Sequence, residues 1–250
     1  MAVPATSHQT QDHQAQNLPG PAAVTPSLSD RVQHFMQRVD YRRADTPEQR
    51  EAIFRLRYDA YVRDGYIKPN PTRRFTDPVD DRDNTWLFGV YVDDRLVSAI
   101  RMTVTLPGNT YVPAHDVFAE TLDPYLAAGK ILVDPSRFIT DRDASKQHLE
   151  LRYVTLRLPW LALGYFGADY MLAAVRTTHE AFYRRLWGHQ TVCPPKLYPN
   201  LKMHVGLMML DYRNQRIAVH RRYPFFESSA FERRMLFERT AQPMRREAAA

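Results

Sequence analysis

Asp134 and Arg137 stand three residues apart in the run Val133-Asp134-Pro135-Ser136-Arg137-Phe138, at the end of an apolar stretch. A carboxylate there can take up a proton, and a guanidinium can hold an anion. Pro135 and the two charges argue that strand pairing is interrupted at this point. A second signal is Ile100-Arg101-Met102, an arginine inside an otherwise apolar strand. A charge in that setting needs a partner. The acidic run from Asp77 to Asn84, which includes Asp80 and Asp83, can supply one. The remaining signal is Arg57 and Tyr61, one helical turn apart and therefore on one face, followed by Gly65-Tyr66. Singly, these features read equally well as a solvated helix residue, a polar connector or an edge-strand charge. Their order is the informative part: helix, acidic loop, hairpin with an internal arginine, then a strand ending in Asp-x-x-Arg-Phe.

Several other chemistries are excluded by spacing. His179-Glu180 has Tyr183 one turn on where a zinc protease needs a second histidine. His148-Leu-Glu150 is not followed by the paired cysteines of a deaminase, because Cys193 stands alone. No Gly-x-Ser-x-Gly elbow and no glycine-rich phosphate loop is present. The Asp77–Asp83 cluster lacks the glycine and closing glutamate of a calcium loop, so no metal site is expected.

The elements that must position these residues follow from pattern. Thr46-Pro47-Glu48-Gln49 is a helix start with a capping box, and Gly65 is its stop. The helix over 47–63 presents Ile53, Leu56, Ala60 and Tyr61 to a core. A hairpin is expected over 85–92 and 96–105, turning at Asp93-Asp94, then a strand over 130–138. A long helix over 146–166 should bend near Pro159. Residues 170–175 read as a buried strand feeding an amphipathic helix over 179–186 that stops at Gly188. A closing antiparallel pair is expected at 206–212 and 216–220. Three regions follow: a disordered or loosely ordered tail over 1–40, a folded domain over 41–225, and a C-terminal surface helix with a frayed tail over 226–250.

The 250 residues, 44% hydrophobic and 12% aromatic, suffice for one domain with a real core plus tails. Lysine and arginine outnumber aspartate and glutamate by 34 to 28, a net charge of +6. The excess suggests an acidic partner: nucleic acid, an anionic membrane or an acidic carrier protein. The basic residues are scattered and no recognition motif appears, which counts against nucleic acid. The lone Cys193, followed by two prolines, forms no internal disulfide and reads as structural. The most apolar window, 158–175, is broken by Pro159, Gly164, Gly167 and Asp169, so no membrane span is expected. The cytoplasm is the expected location.

A strand running into a helix near the end of a chain resembles the strand 5 and helix 4 unit of Gcn5-related (GNAT) acyltransferases. The order of the earlier motifs resembles the acyl-homoserine lactone synthases. It resembles more closely the catalytic core of the N-acyl amino acid synthases over residues 50–212. That match covers the Leu-Arg-Tyr-x-x-Tyr helix, the Gly-Tyr-Ile-x-Pro-Asn-Pro loop, Phe88-Gly-Val-Tyr-Val, Asp134-Pro-Ser-Arg137-Phe138 and the 168–185 strand–helix unit. Relative to the lactone synthases, Asp134 replaces a glutamate. The resemblance implies an α/β GNAT-like fold, with a mixed central sheet splayed between strands 4 and 5 and helices on both faces.

It also implies a reaction: a long-chain fatty acyl group passes from a thioester to the α-amine of an amino acid. Asp134 is then the base. Arg101 and Arg137 bind the acceptor carboxylate or hold the acidic loop. Tyr183 protonates the leaving thiolate. Arg57, Tyr61, Tyr66, Asp80, Asp83 and Phe138 complete the substrate site. GNAT enzymes that use coenzyme A carry a glycine-rich pyrophosphate loop, whereas Ser145–Arg152 here has no glycine. That departure and the basic charge favour acyl carrier protein as donor and partner, docking on Lys146, Arg152 and Arg157. The acyl-phosphopantetheine arm is a substrate, and no cofactor is expected. Met171, Leu172, Trp160 and Phe166 are expected to line the acyl slot. Two alternatives are an acyl-homoserine lactone synthase and a non-catalytic carrier-protein or lipid-binding module.

Overall fold

The computed structural model describes residues 25–198 and 203–239. Helix α1 (Leu28–Met36) is capped reciprocally by Ser27 and Asp30. Strand β1 (Val39–Arg43) leads to α2 (Pro47–Arg63), which starts on the Thr46–Gln49 capping box and Pro47. Gly65, at φ +73°, turns the chain out of α2. A single 3-10 turn (Pro78–Asp81) precedes β2 (Thr85–Val92) and β3 (Arg95–Val104). Asp93 and Asp94, both at positive φ, form the two-residue hairpin turn between them. Then come α3 (His115–Ala127), β4 (Leu132–Thr140), α4 (Arg142–Gln147) and α5 (Leu151–Phe166). The chain closes with β5 (Tyr170–Val175), α6 (Thr177–Trp187), β6 (Gln190–Tyr198), β7 (Met203–Asp211), α7 (Tyr212–Arg222) and α8 (Ala230–Phe237).

The strands form one sheet in the order β1-β2-β3-β4-β5-β7-β6. Every pairing is antiparallel except β4–β5. That parallel pair is joined only at Leu132–Tyr170 and Val133–Met171, after which the strands diverge. The splay between strands 4 and 5 is therefore present. On one side of the sheet α1, α5, α6 and the C-terminal segment share a core with Phe88, Met102 and Val133. On the other side α2 packs on Leu87, Ala99 and Ile139, and α3 packs near Leu132 and Leu172.

Four expectations differ. Residues 28–40 are not a loose tail: Val32 and Phe35 are buried in the main core. Residues 1–24 and 240–250, to which the disordered tail and the frayed end were assigned, lie outside the described residues. The long helix does not begin at Lys146. It divides at His148–Glu150 instead, and α5 continues through Pro159, with Val154 to Leu163 all buried. Tertiary packing on both flanks outweighs the single backbone bond that the proline removes. Residues 216–220 are helical, started by Asp211 accepting from the Asn214 N–H. The real partner of β7 is β6, whose Pro194-Pro195 pair conceals it from a pattern reading. As an edge strand with register shifts on either side of Cys193, β6 tolerates the missing donors. Cys193 itself is buried and free.

Arg157 also departs from expectation. It is buried and cannot meet a carrier protein. Its guanidinium donates to the carbonyls of Phe225 (2.6 Å) and Glu227 (2.7 Å) and to both carboxylate oxygens of Glu232. Trp86 Nε1 reaches the Phe237 carbonyl (3.2 Å), and Arg43 reaches those of Leu236 and Glu238. These bonds fasten the C-terminal segment across α5 and β1–β2, and Phe237 at the end of α8 is buried. No helix among the described residues is long and apolar enough to cross a membrane. Arg157→Ala leaves the carbonyls unpaired and is expected to lower stability by about 3 kcal/mol, measured by urea unfolding. Limited proteolysis of the same variant should show earlier cleavage after residue 222.

Candidate active site

Five charged side chains from four segments converge below the splayed strands. Arg57 of α2 donates to Asp80 Oδ2 (2.8 Å). Arg101 of β3 donates to Asp77 Oδ1 (2.5 Å), to Asp80 Oδ1 (3.1 Å) and through Nε to Ser136 Oγ (3.0 Å). Arg137 of β4 donates to Asp77 Oδ2 (2.7 Å). The 3-10 turn orients both carboxylates, because Asp77 accepts from the Val79 N–H and Asp80 accepts from the Asp77 N–H and the Thr76 hydroxyl. Burial alone would raise the Asp80 pKa, but Arg57 and Arg101 outweigh it and hold it near 2. Asp77 is lowered likewise: Arg101 and Arg137 overcome its desolvation.

The charge at Asp77 was not foreseen, and Asp83 does not belong to the network. Asp83 is exposed; only its carbonyl is used, accepting from Arg239. The two carboxylates that join the arginines are three apart, as the expected pair is, but the pair lies three residues earlier in the loop. The signal was Asp77-Pro78, an N-cap followed by proline, which presents both carboxylates on one short turn.

Arg137 takes a left-handed backbone conformation, φ +53°, uncommon for a side-chain-bearing residue. The reason is a bulge. Ser136 pairs with Arg101 and Ile139 with Ala99, so Arg137 and Phe138 together oppose Ile100. The bulge lies where β4 has already parted from β5, leaving backbone groups of both strands without a strand partner there.

Two cavities meet at this edge. The larger, about 650 Å³, is lined by Tyr61, Tyr66, Phe138, Arg152, Arg176 and Tyr183, among others. The smaller, about 90 Å³, is lined by Asp134, Ala114, Tyr198 and Val205. Tyr61, Pro135–Arg137, Ala174 and Met203 line both. Asp134 is 2% exposed and accepts from the Ala114 N–H at 2.8 Å. Burial pushes its pKa up to about 6, against the opposing effects of that N–H and of Arg101. Burial similarly drives Tyr183 up to about 12, so its phenol keeps a proton to donate. Tyr198, on the unforeseen strand β6, is raised to about 12 by burial and then by Asp134. Tyr61 packs edge-on against Tyr66 and Phe75, and Arg137 lies over Phe75 (5.0 Å).

Arg57 and Arg101 thus hold the acidic turn and line neither cavity. Arg137 lines both, and its Nε has no partner among the described residues. Arg152 is exposed on the rim of the larger cavity, and Lys146 is exposed on α4 nearby. Trp160, Met171 and Leu172 are ordinary core residues and, like Phe166, line neither cavity.

A small chamber lined by a buried carboxylate of raised pKa is thus joined to a larger cleft along a splayed sheet edge. The family model of the N-acyl amino acid synthase FeeM matches residues 52–211. The chain belongs to the N-acyl amino acid synthase family. It is an acyltransferase of GNAT-like fold. The structure of FeeM, from uncultured soil microbes, is similar at TM-score 0.62 and 17% identity over 72% of this chain and 95% of that one. TofI, solved with an inhibitor and MTA, is similar at 0.55 and 18% identity, over 76% and 100% of the two chains. BjaI, a CoA-dependent acyl-homoserine lactone synthase solved with MTA, is similar at 0.50 and 18%, over 74% and 89%. At these identities the structural likenesses establish the shared fold. No curated protein matches the chain.

Asp134 carries a stability prediction. A carboxyl whose folded pKa is raised binds its proton more tightly folded than unfolded. Stability therefore falls as pH rises from about 4 to about 6 and stays lower above that. Asp134→Asn keeps the acceptor for the Ala114 N–H and removes the buried charge. At pH 8 the variant should be more stable than the parent by roughly 3 kcal/mol, the difference vanishing near pH 4. Chemical denaturation across that range measures it.

Proposed function

We propose that this synthase moves a long-chain fatty acyl group from acyl carrier protein to the α-amine of an amino acid. The observation that carries the proposal is the meeting of the two cavities at Pro135–Arg137, with Asp134 facing the smaller one. In this reading the phosphopantetheine arm and acyl chain occupy the larger cavity and the amino acid occupies the smaller. Arg137 holds the acceptor carboxylate with its unpartnered Nε–H. Asp134, directly or through a water, takes a proton from the α-ammonium group, and the freed nitrogen attacks the thioester carbonyl carbon. β4 N–H groups released by the splay stabilise the oxyanion. The C–S bond breaks, the thiolate takes a proton from Tyr183, and as the amide forms the second amine proton passes to the Tyr183 phenolate, directly or through water, which restores the phenol. Tyr61, Tyr66 and Phe138 shape the cleft wall beside the thioester.

Acyl carrier protein is preferred as donor on two grounds. No glycine-rich pyrophosphate loop precedes α5, and Lys146 and Arg152 offer exposed positive charge beside the cleft. Because a synthase of the same fold is described as CoA-dependent, both donors belong in the test. Purified protein is incubated with acyl carrier protein or coenzyme A thioesters and a mixture of amino acids, and products are read by mass spectrometry. N-acyl amino acids formed faster from the carrier-protein thioester are expected. Lactone products dependent on S-adenosylmethionine would instead assign the chain to autoinducer synthesis. Asp134→Asn should lower kcat by roughly 100-fold or more, with smaller change in donor KM. In the parent, kcat should fall as pH drops through about 6, where Asp134 gains its proton. A pH profile flat down to pH 5 would remove Asp134 from the role of base.

A further inference from the structure

Helix α7 contains four arginines, Arg213, Arg216, Arg221 and Arg222, and no acidic residue. All four are exposed, and none forms an ion pair among the described residues. Val219 alone turns fully inward, and the opposite side of the helix carries Arg213, Ile217 and Arg221 at four-residue spacing. Ile217 is 65% exposed. Helix α8 continues the pattern with Phe231 and Met235, one turn apart and 65% and 67% exposed, flanking Arg234. Both helices reach α5 at one point, where the side chains of Tyr212 of α7 and Arg233 of α8 approach Gly164. The exposed Arg185 of α6, whose carbonyl accepts from Arg222, extends the positive field.

We propose that the outer faces of α7 and α8 dock on an anionic lipid bilayer. Arginines beside large apolar side chains fit the interfacial zone, where guanidiniums meet phosphates and Ile217, Phe231 and Met235 enter the acyl boundary. A second copy of this chain is disfavoured because the face repels itself. Nucleic acid would leave the three apolar side chains in water. Acyl carrier protein must sit at the mouth of the larger cavity, beside Arg152 and Arg176, and no residue of α7 or α8 lines either cavity. The docking is independent of which amine is acylated.

The test is flotation of the whole protein with vesicles of phosphatidylcholine alone or of equimolar phosphatidylcholine and phosphatidylglycerol. Binding to the anionic vesicles only, weakened by salt, is expected. Arg213→Gln and Arg221→Gln should each weaken it roughly fivefold. Phe231→Ser with Met235→Ser should abolish the part that survives high salt. Acyl transfer from a dispersed donor should be unchanged in all of these variants, which also shows that they fold. Equal binding to both vesicles, no binding to either, or insensitivity to the arginine variants would overturn the proposal. So would finding that the same variants release carrier protein or DNA rather than vesicles. Vesicle binding is read without chemistry, so its failure is distinct from failure of the proposed reaction.

Discussion

The buried network of Arg57, Arg101 and Arg137 around Asp77 and Asp80 is the constraint on which the site depends. It ties α2 and the 3-10 turn to the paired strands β3 and β4 through side-chain charges. Such a cluster is stable only when each carboxylate is shared and each guanidinium directed, since removal of one member strands the others away from water. The short turn at Pro78–Asp81 meets that condition by satisfying the carboxylates with its own backbone N–H groups. Three guanidiniums against two carboxylates leave one positive charge in excess. Arg137, the member that faces both cavities, is where that excess meets the open site.

Arg137 also connects electrostatics to backbone shape. Its left-handed conformation lets β4 bulge, and the bulge sits where β4 and β5 lose register contact. A regular strand would direct that side chain elsewhere, and an unsplayed sheet would close the cleft. The ion pair to Asp77 holds the strained residue from one side, while Tyr61 and Phe75 pack its guanidinium from the other. A short distance along the same strand, Asp134 is buried with one N–H for company, an arrangement that costs stability and produces a carboxylate of raised pKa. Strain and an under-compensated charge thus fall on neighbouring residues, and the surrounding core offsets both.

The periphery serves different ends on its two sides. The C-terminal segment is tied by Arg43, Trp86 and Arg157 to carbonyl oxygens, so a residue that looks in sequence like surface charge is a fastening for the segment carrying α8. Outside that fastening, the four arginines of α7 form no ion pair among the described residues. Sequence alone does not separate these two kinds of arginine: Arg157 and Arg216 differ only in what folds over them.

Local signals were legible. The Thr46–Gln49 capping box, Gly65, the Asp93-Asp94 turn and Gly188 set elements within a residue or two, because each is decided by short-range hydrogen bonds and backbone preference. The order of motifs sufficed for the fold and for the family to which the chain belongs, and it marked Asp134 and Arg137 as neighbours at a strand end. Long-range pairing was not legible. Strand β6 is hidden by its two prolines, α7 is helical where a closing strand was expected, Asp77 rather than Asp83 joins the arginines, and Tyr198 reaches the smaller cavity from an edge strand. Each of these outcomes depends on which segments meet across the sheet, and burial, ion pairing and edge tolerance are properties of that meeting. The chain by itself determined the kinds of groups and their local geometry. The tertiary structure decided which charges are buried together, because only packing removes water from them.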